Sequence, residues 1–201
     1  KMSPTATQLD RTRIKELTER EEEKLNSRTQ KSKEMFERAS EHLSGGVASS
    51  YQLREPWPIY MERGSGPMVW DVDGNEMYDF HNGFGSMVQG HANPAIGRVV
   101  QARYEQGTHF AAPTEDAIVV GDELARRWDI PKWRYTNSGS EATMDAIRIA
   151  RGFTGRDDVM KIFGSYHGHH DTVMVSIGVE YDKIGDHENP APPPSGAGTP
   201  P

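Results

Sequence analysis

Cysteine is absent from this chain of 201 residues. Its absence excludes a disulfide framework, a thiolate metal site and a cysteine nucleophile. Long apolar runs are also missing, because the longest, Ala117–Val120, is far too short to cross a bilayer. The first residues lack the apolar segment of a signal peptide, so we expect a cytoplasmic protein without a membrane partner.

Positive charge is in deficit, with 23 basic against 30 acidic residues and a net charge of −7. This balance disfavours a general nucleic-acid binder, so we expect no nucleic-acid partner. The chain is long enough to form a domain with a real core. Its composition is typical of a globular protein with polar ends.

Four segments differ in their residue patterns. Residues 1–30 are highly charged and predict a solvated helix or floppy arm, or an arm that packs on a partner subunit. Residues 31–92 combine a helix with a three-strand meander, in which Asp73-Gly74 is a strong hairpin signal. Residues 93–178 predict helices and strands in alternation. Residues 179–201 are rich in proline and glycine and predict a flexible loop.

Two helices near the middle of the chain are predicted from their caps. Asn93 and a proline open the first, and Thr114 caps the second. We expect their apolar stripes to face a core. The stripes are Ile96, Val99, Val100 and Tyr104 in the first helix, and Ala117, Ile118, Leu124, Ala125 and Trp128 in the second.

Strand, helix and strand then follow one another. The strands are predicted at 133–136 and 159–163, and the helix carries apolar residues at helical spacing from Ala142 to Phe153. This succession is the unit of a parallel α/β sheet. Because open α/β sheets bind ligands where their strands end, we expect the two following loops to face one crevice.

The first of these loops is small and polar, and it contains Ser138, Gly139 and Ser140. It opens a helix, whose first amides lack partners within the helix and favour negative charge. Gly139 allows a ligand to approach the backbone closely, and the two serine hydroxyls add donors. The pattern predicts a phosphate seat. Taken alone, an ordinary serine N-cap is the commoner explanation.

The second loop offers Tyr166 and His167 beside a glycine. A flat aromatic next to a phosphate seat suits a phosphorylated planar heterocycle. Taken alone, Tyr166 is better explained as a half-buried core residue.

A metal site is an alternative interpretation of the second loop. His167, His169 and Asp171 fit the H-x-H-x-D pattern of metallo-β-lactamase-like zinc hydrolases, and imidazole and carboxylate ligands suit zinc. The pattern's next histidine is replaced by Thr172. A third alternative is a non-catalytic α/β piece that only dimerises or binds a ligand.

Taken in order, the motifs resemble the N-terminal part of class III pyridoxal-phosphate aminotransferases. Residues 137–142 resemble the family's N-S-G-(T/S)-E-A phosphate loop, and residues 166–168 its Y-H-G. Residues 90–94 are similar to its G-H-x-x-P, and residues 112–114 to its A-P-T. The resemblance covers residues 31–176, and within the family it is strongest to glutamate-1-semialdehyde aminomutases.

This resemblance implies an α/β protein of PLP-dependent transferase fold type I, made of an N-terminal segment and part of a large domain with a mainly parallel sheet. It implies a homodimer and pyridoxal 5′-phosphate as the cofactor. The residues that would bind the cofactor are Ser138, Gly139, Ser140, Tyr166 and His167.

The substrate side departs from the aminomutase pattern. Gln52 stands where those enzymes place an arginine that holds the substrate carboxylate. Arg54 substitutes for it only with a shifted loop, and Phe84 matches an aromatic that faces the substrate. These differences favour a transaminase, with a small-molecule amino donor and acceptor, over an aminomutase.

None of the lysines matches the family's cofactor-bonding lysine; they lie at positions 1, 15, 24, 31, 33, 132, 161 and 183. Lys161 falls within a predicted strand, where a solvated or snorkelling role is expected. The resemblance also implies an aspartate against the pyridine nitrogen of the cofactor, and it places both this aspartate and the lysine in the second half of the family's fold. We therefore expect residues 1–201 alone to be inactive and to expose apolar surface that needs another chain or a further part of the protein.

Overall fold

A computed structural model describes residues 9–185 together with 188, 194 and 198. The chain forms two compact units, Lys1–Phe110 and Ala111–Pro201. The boundaries expected after residues 30, 92 and 178 stay predictions, and most of the proline-rich segment lies outside the described residues. Among the described helices, none has the length and apolarity needed to cross a membrane.

Two helices open the first unit. Helix α1 (Arg11–Ser27) begins at Asp10, whose carboxylate accepts a hydrogen bond from the Arg13 amide at 2.9 Å. None of its residues is buried, as the prediction of a solvated charged helix requires. Helix α2 (Gln30–Ala39) follows after a short break, and a 3₁₀ turn at Ser44–Gly46 ends this region.

An antiparallel meander follows, as predicted. It consists of β1 (Met61–Ser65), β2 (Met68–Asp71) and β3 (Glu76–Tyr78), with β2 in the middle. Ser65 pairs with Met68, so the first turn contains only Gly66 and Pro67. Gly64 and Ser65 therefore belong to strand β1.

The β2–β3 turn holds α2 in place. The Asp73 carboxylate accepts hydrogen bonds from the Lys31 amide at 2.7 Å and from the Ser32 amide and hydroxyl at 3.0 Å each. These amides belong to the first turn of α2 and have no partner within the helix. Thr29, the local N-cap residue, makes no capping bond with its side chain. Asp73 thus caps α2 from more than 40 residues away.

A second carboxylate, that of the buried Asp71, accepts hydrogen bonds from the backbone of the same turn. It is 1% exposed and accepts hydrogen bonds from the Asn75 amide at 2.7 Å and the Asp73 amide at 3.1 Å. The Asn75 side chain donates to Asp71 and to the carbonyl of Arg28. The buried charge is therefore met by N–H donors, as a carboxylate removed from water requires.

The three remaining helices match the predicted ones: α3 (Pro94–Glu105), α4 (Glu115–Trp128) and α5 (Gly139–Thr154). Their apolar stripes are not buried, contrary to expectation. Val99, Tyr104, Trp128, Ile149 and Phe153 are between 66% and 91% exposed. Periodicity predicts which face of a helix is apolar, but burial also needs a covering layer, and the described residues supply none here.

The parallel strands expected at 133–136 and 159–163 are absent from the described part of the chain. Neither segment has a ladder of backbone hydrogen bonds, and the meander is the only sheet within the described residues. A strand exists only when a neighbouring backbone pairs with it, and these two segments do not pair with each other. Met160 is 99% exposed, so this segment also lacks a packing partner.

Replacing Asp73 with alanine should lower the free energy of unfolding by about 2 kcal/mol, because the buried start of α2 loses its acceptors. The matched control is Asp10→Ala, which removes the exposed cap of α1 and should cost about 0.5 kcal/mol. Denaturant titration of both variants measures the difference. Equal losses would show that Asp73 is not the anchor of α2.

Candidate active site

Ser138 is the N-cap residue of α5. Its Oγ accepts a hydrogen bond from the Glu141 amide at 3.2 Å. The Glu141 carboxylate turns back and accepts from the Asn137 amide at 2.6 Å. The serine cap is therefore confirmed. The Glu141 carboxylate is bonded to the Asn137 amide, outside the N-terminal end of the helix, which we call the mouth of α5.

The mouth of α5 is open. Among the described residues, no acceptor meets the amides of Gly139 or Ser140, and a Cβ placed on Gly139 would meet no atom within 4 Å. The hydroxyls of Ser138 and Ser140 each accept one hydrogen bond, so each proton is free to be donated. Two amides and two hydroxyls thus form a donor set that suits a phosphate group.

The second loop docks against this mouth. The His169 amide donates to Oγ of Ser140 at 2.9 Å, and Oγ1 of Thr143 lies 2.6 Å from the carbonyl oxygen of His167. Gly168 lies between these contacts with a φ of 118°, and a Cβ there would be 2.8 Å from Cα of Ser140. The structure therefore brings together the two loops that carry the predicted cofactor residues.

Tyr166 and His167 are both exposed on the docked loop. The tyrosine side chain is 62% exposed, and no ring contact to it occurs among the described residues. The core-tyrosine interpretation is therefore wrong. An uncovered ring beside a phosphate seat is available for stacking on a planar ligand.

Lys161 closes the base of the same loop. Its ammonium donates to the carbonyl of Val175 at 2.9 Å and lies 3.4 Å from Oγ of Ser176. The Gly164 amide donates to the Ser176 carbonyl at 3.0 Å. The expected strand position of Lys161 is wrong. Its ammonium is bonded to protein groups, so the expected solvated or snorkelling role is not what the structure shows, and the charge holds the two ends of the loop together.

Phe84 lies in the first unit, in a 3₁₀ turn at Asn82–Gly85. Its φ is 56°, an unfavourable value for a residue with a side chain, and it is 74% exposed. Its ring meets Tyr51 and His81 edge-on, with centroids 5.2 and 4.2 Å away. Strain of this kind is concentrated at functional sites, which supports the predicted role of this loop.

Asp79 anchors the glycine-rich loop. One carboxylate oxygen accepts from the amides of His81 and Asn82 at 2.9 and 2.8 Å, and the other lies 2.8 Å from Nε2 of His91. The Asn82 amide and then the His91 ring hold the pKa of the Asp79 carboxyl below its ordinary value. The His91 ring packs directly against Gly64 of β1, since a Cβ on that glycine would be only 2.5 Å from the ring. This histidine therefore connects the loop to β1.

The other two predicted substrate residues, Gln52 and Arg54, lie in different surroundings. The side-chain oxygen of Gln52 accepts from the Ser49 amide at 3.2 Å and so closes its own 3₁₀ turn. Arg54 lines a cavity of about 490 Å³ with Leu25 and Thr29 of the α1–α2 region. Phe84 contacts the turn of Gln52 through Tyr51, whereas Arg54 lies against α1.

Sequence reasoning missed three residues of these loops. Asp79 has a detectable signal, because an aspartate side chain often accepts a hydrogen bond from the amide two residues further on, as Asp79 does from His81. Tyr51 and His81 become neighbours of Phe84 only through the fold, and no local pattern predicts their contact.

The geometry does not support the zinc interpretation. Among residues 9–185, 188, 194 and 198, no group of three His, Asp or Glu side chains is placed to hold a metal ion. The H-x-H-x-D backbone is instead used for docking on α5, with the His169 amide bonded to Ser140.

An open helix mouth with serine donors, next to an exposed tyrosine on a docked loop, suits a phosphorylated aromatic ligand. The chain belongs to the class-III aminotransferase family, whose pattern matches residues 50–194. This is a family of PLP-dependent enzymes of fold type I, which confirms the class predicted from the sequence.

Named relatives and solved structures agree on this family. Glutamate-1-semialdehyde 2,1-aminomutase of Methanocaldococcus jannaschii is 44% identical over 149 residues, which are 74% of this chain and 35% of that protein. The corresponding enzyme of Methanothrix thermoacetophila is 39% identical over 155 residues, 77% of this chain and 36% of its own. The chain thus spans about a third of the length of these relatives.

Two solved structures show the fold. An omega-transaminase from Sphaerobacter thermophilus has a TM-score of 0.77 at 38% identity, over 84% of this chain and 39% of that one. A glutamate-1-semialdehyde aminomutase from Pseudomonas aeruginosa PAO1, solved with PMP, has a TM-score of 0.81 at 28% identity, over 92% and 40%. Another similar structure is a transaminase with PLP bound.

Gly168→Ala should lower the free energy of unfolding by about 3 kcal/mol, because a Cβ there strains the backbone and collides with Ser140. The control is Gly164→Ala in the same loop, where φ is 76° but no atom lies within 4 Å of the new Cβ. It should cost about 1 kcal/mol. Denaturant titration decides, and equal costs would contradict the close docking of the loop.

Proposed function

We propose that this chain provides the phosphate seat, the ring-stacking tyrosine and part of the substrate side of a PLP-dependent transaminase. The observation that carries the proposal is the open mouth of α5, where the amides of Gly139 and Ser140 find no acceptor among the described residues. Because the chain spans about a third of its relatives' length, the whole reaction is proposed for the intact protein.

The phosphate of the cofactor would lie at the mouth of α5. The amides of Gly139 and Ser140 and the free hydroxyl protons of Ser138 and Ser140 point to this role. The helix dipole adds favourable potential for a dianion. Glu141 does not compete for the seat, since its carboxylate is bonded to the Asn137 amide.

Tyr166 would stack on the ring of the cofactor, and His167 would line its edge. When bound, pyridoxal 5′-phosphate supplies an electron sink for the carbon that carries the amino group. The tyrosine fixes the plane of that ring, and its bulk keeps water from one face. The docking of residues 167–169 on α5 sets this aromatic beside the phosphate seat.

We propose Phe84 and Gln52 as substrate-side residues, with an amino acid or amine as donor and a keto acid or aldehyde as acceptor. Phe84 is exposed and held in a strained turn, which suits a contact with substrate. Gln52 is neutral, so it cannot form the bidentate ion pair that an arginine makes with a carboxylate. Arg54 remains a weaker candidate, because it lies against α1.

Glutamate-1-semialdehyde aminomutase is the second candidate function. It is favoured by the names of the curated relatives, which share up to 44% identity with this chain. The neutral Gln52 is the observation against it.

We also propose a cytoplasmic homodimer, as the family resemblance implies. The exposed apolar residues of α3, among them Val99 and Tyr104, offer surface that a second copy would cover. A native mass measurement on the intact protein tests the dimer, and a monomer would contradict it.

Titration of the intact protein with pyridoxal 5′-phosphate should give a bound absorbance band in the near ultraviolet or violet. Tyr166→Ala should weaken binding about fivefold, because stacking contributes roughly 1 kcal/mol. Tyr166→Phe keeps the ring and should bind as the wild type does. Unchanged affinity in the alanine variant would remove Tyr166 from the site.

Conversion of glutamate-1-semialdehyde to 5-aminolevulinate should be slow compared with the best amino-donor reaction. Gln52→Arg should lower KM for the semialdehyde about tenfold, since a charge-assisted bond to its carboxylate becomes possible. Gln52→Glu is the control, because it keeps a side-chain acceptor for the Ser49 amide and adds no positive charge. Fast conversion by the wild type would instead establish the aminomutase.

A further inference from the structure

Thr143 lies on the first turns of α5, and its hydroxyl faces the docked loop. Oγ1 is 2.6 Å from the carbonyl oxygen of His167 and 3.2 Å from Nε2 of His170. It is also 3.1 Å from the carbonyl oxygens of Gly139 and Ser140, within its own helix. One hydroxyl therefore has three acceptors and one imidazole nitrogen around it.

A hydroxyl has one proton to donate, and this decides how the hydrogen bonds are arranged. A contact of 2.6 Å between two oxygens is repulsive unless a proton lies between them, so the proton of Thr143 goes to the His167 carbonyl. The imidazole cannot then accept from Thr143. A hydrogen bond between the two groups then needs the proton on Nε2 of His170, which donates it to Oγ1.

We propose that Thr143 is the positioning residue of the Tyr166–His170 loop. Its hydroxyl donates to the His167 carbonyl and accepts from Nε2–H of His170, so one oxygen atom fixes both sides of Gly168. Ser140 adds one further bond, from the His169 amide. The consequence for cofactor binding rests on the proposed function, because only there does Tyr166 have a ring to stack on.

The arrangement couples the loop to the phosphate seat. Thr143 is one turn beyond Gly139 and Ser140, so the bonds that hold His167 arise from the helix whose mouth holds the phosphate. The His170 carbonyl accepts from the amides of Val173 and Met174 at 3.1 Å each, and Val173 is buried. The imidazole is thus attached to a fixed backbone, and loss of the hydroxyl would release the loop at its tip.

The test compares Thr143→Val, which keeps the shape of the side chain and removes the hydroxyl, with Thr143→Ser, which keeps the hydroxyl. In the ligand-free intact protein, the His169 amide should exchange with solvent about tenfold faster in the valine variant and at the wild-type rate in the serine variant. Pyridoxal 5′-phosphate should bind about fivefold more weakly to the valine variant only.

A second measurement, the protonation site of His170 in the wild type, does not depend on whether a variant folds. Nitrogen-15 chemical shifts should show His170 protonated at Nε2, and Thr143→Val should lose this preference while Thr143→Ser retains it. Wild-type His170 with its proton on Nδ1 alone, or equal amide exchange in all three proteins, would overturn the positioning role. Failure of the wild type to bind pyridoxal 5′-phosphate would overturn the proposed function instead, and the exchange and tautomer results would still decide the role of Thr143.

Discussion

The unpaired amides at the start of α5 are the constraint on which the candidate site depends. Every helix leaves its first N–H groups without internal partners, and proteins usually satisfy them with side chains or water. Here Ser138 satisfies the amide of Glu141, while the amides of Gly139 and Ser140 meet no acceptor in the part of the chain that the structure describes. A ligand with several negative oxygens would satisfy these amides, and the neighbouring loop docks on the same helix.

The two units differ in how they treat the unpaired amides at the start of a helix. In the first unit, Asp73 of a distant turn supplies the negative charge that the start of α2 requires, so that helix mouth is closed by the protein itself. In the second, Glu141 is directed to Asn137, and the mouth of α5 stays open. Asp73 therefore serves packing, whereas Gly139 and Ser140 are the residues that we propose for phosphate binding.

Local features were predictable from the sequence, and distant ones were not. The caps Asn93 and Ser138 depend on neighbours within a few residues, and they form as expected. The hairpin predicted at Asp73-Gly74 is equally local, and it joins β2 to β3. The link from Asp73 to Lys31 depends on a chain reversal that no local pattern records. The expected strand at 159–163 had the right composition, but a strand also needs a pairing backbone. The contact of His167 with Thr143 joins residues 24 positions apart.

The Gly164–Ser176 loop is fixed at two places, its base by Lys161 and its tip by Ser140 and Thr143. Between these points, Asp171 and Thr172 are exposed. Substitutions there leave the anchors intact, so the loop can accumulate sequence change without moving Tyr166. Divergence among proteins with this architecture would then be unequal along the loop, with drift at the exposed positions and strict retention of Gly168, whose space is already filled by the helix.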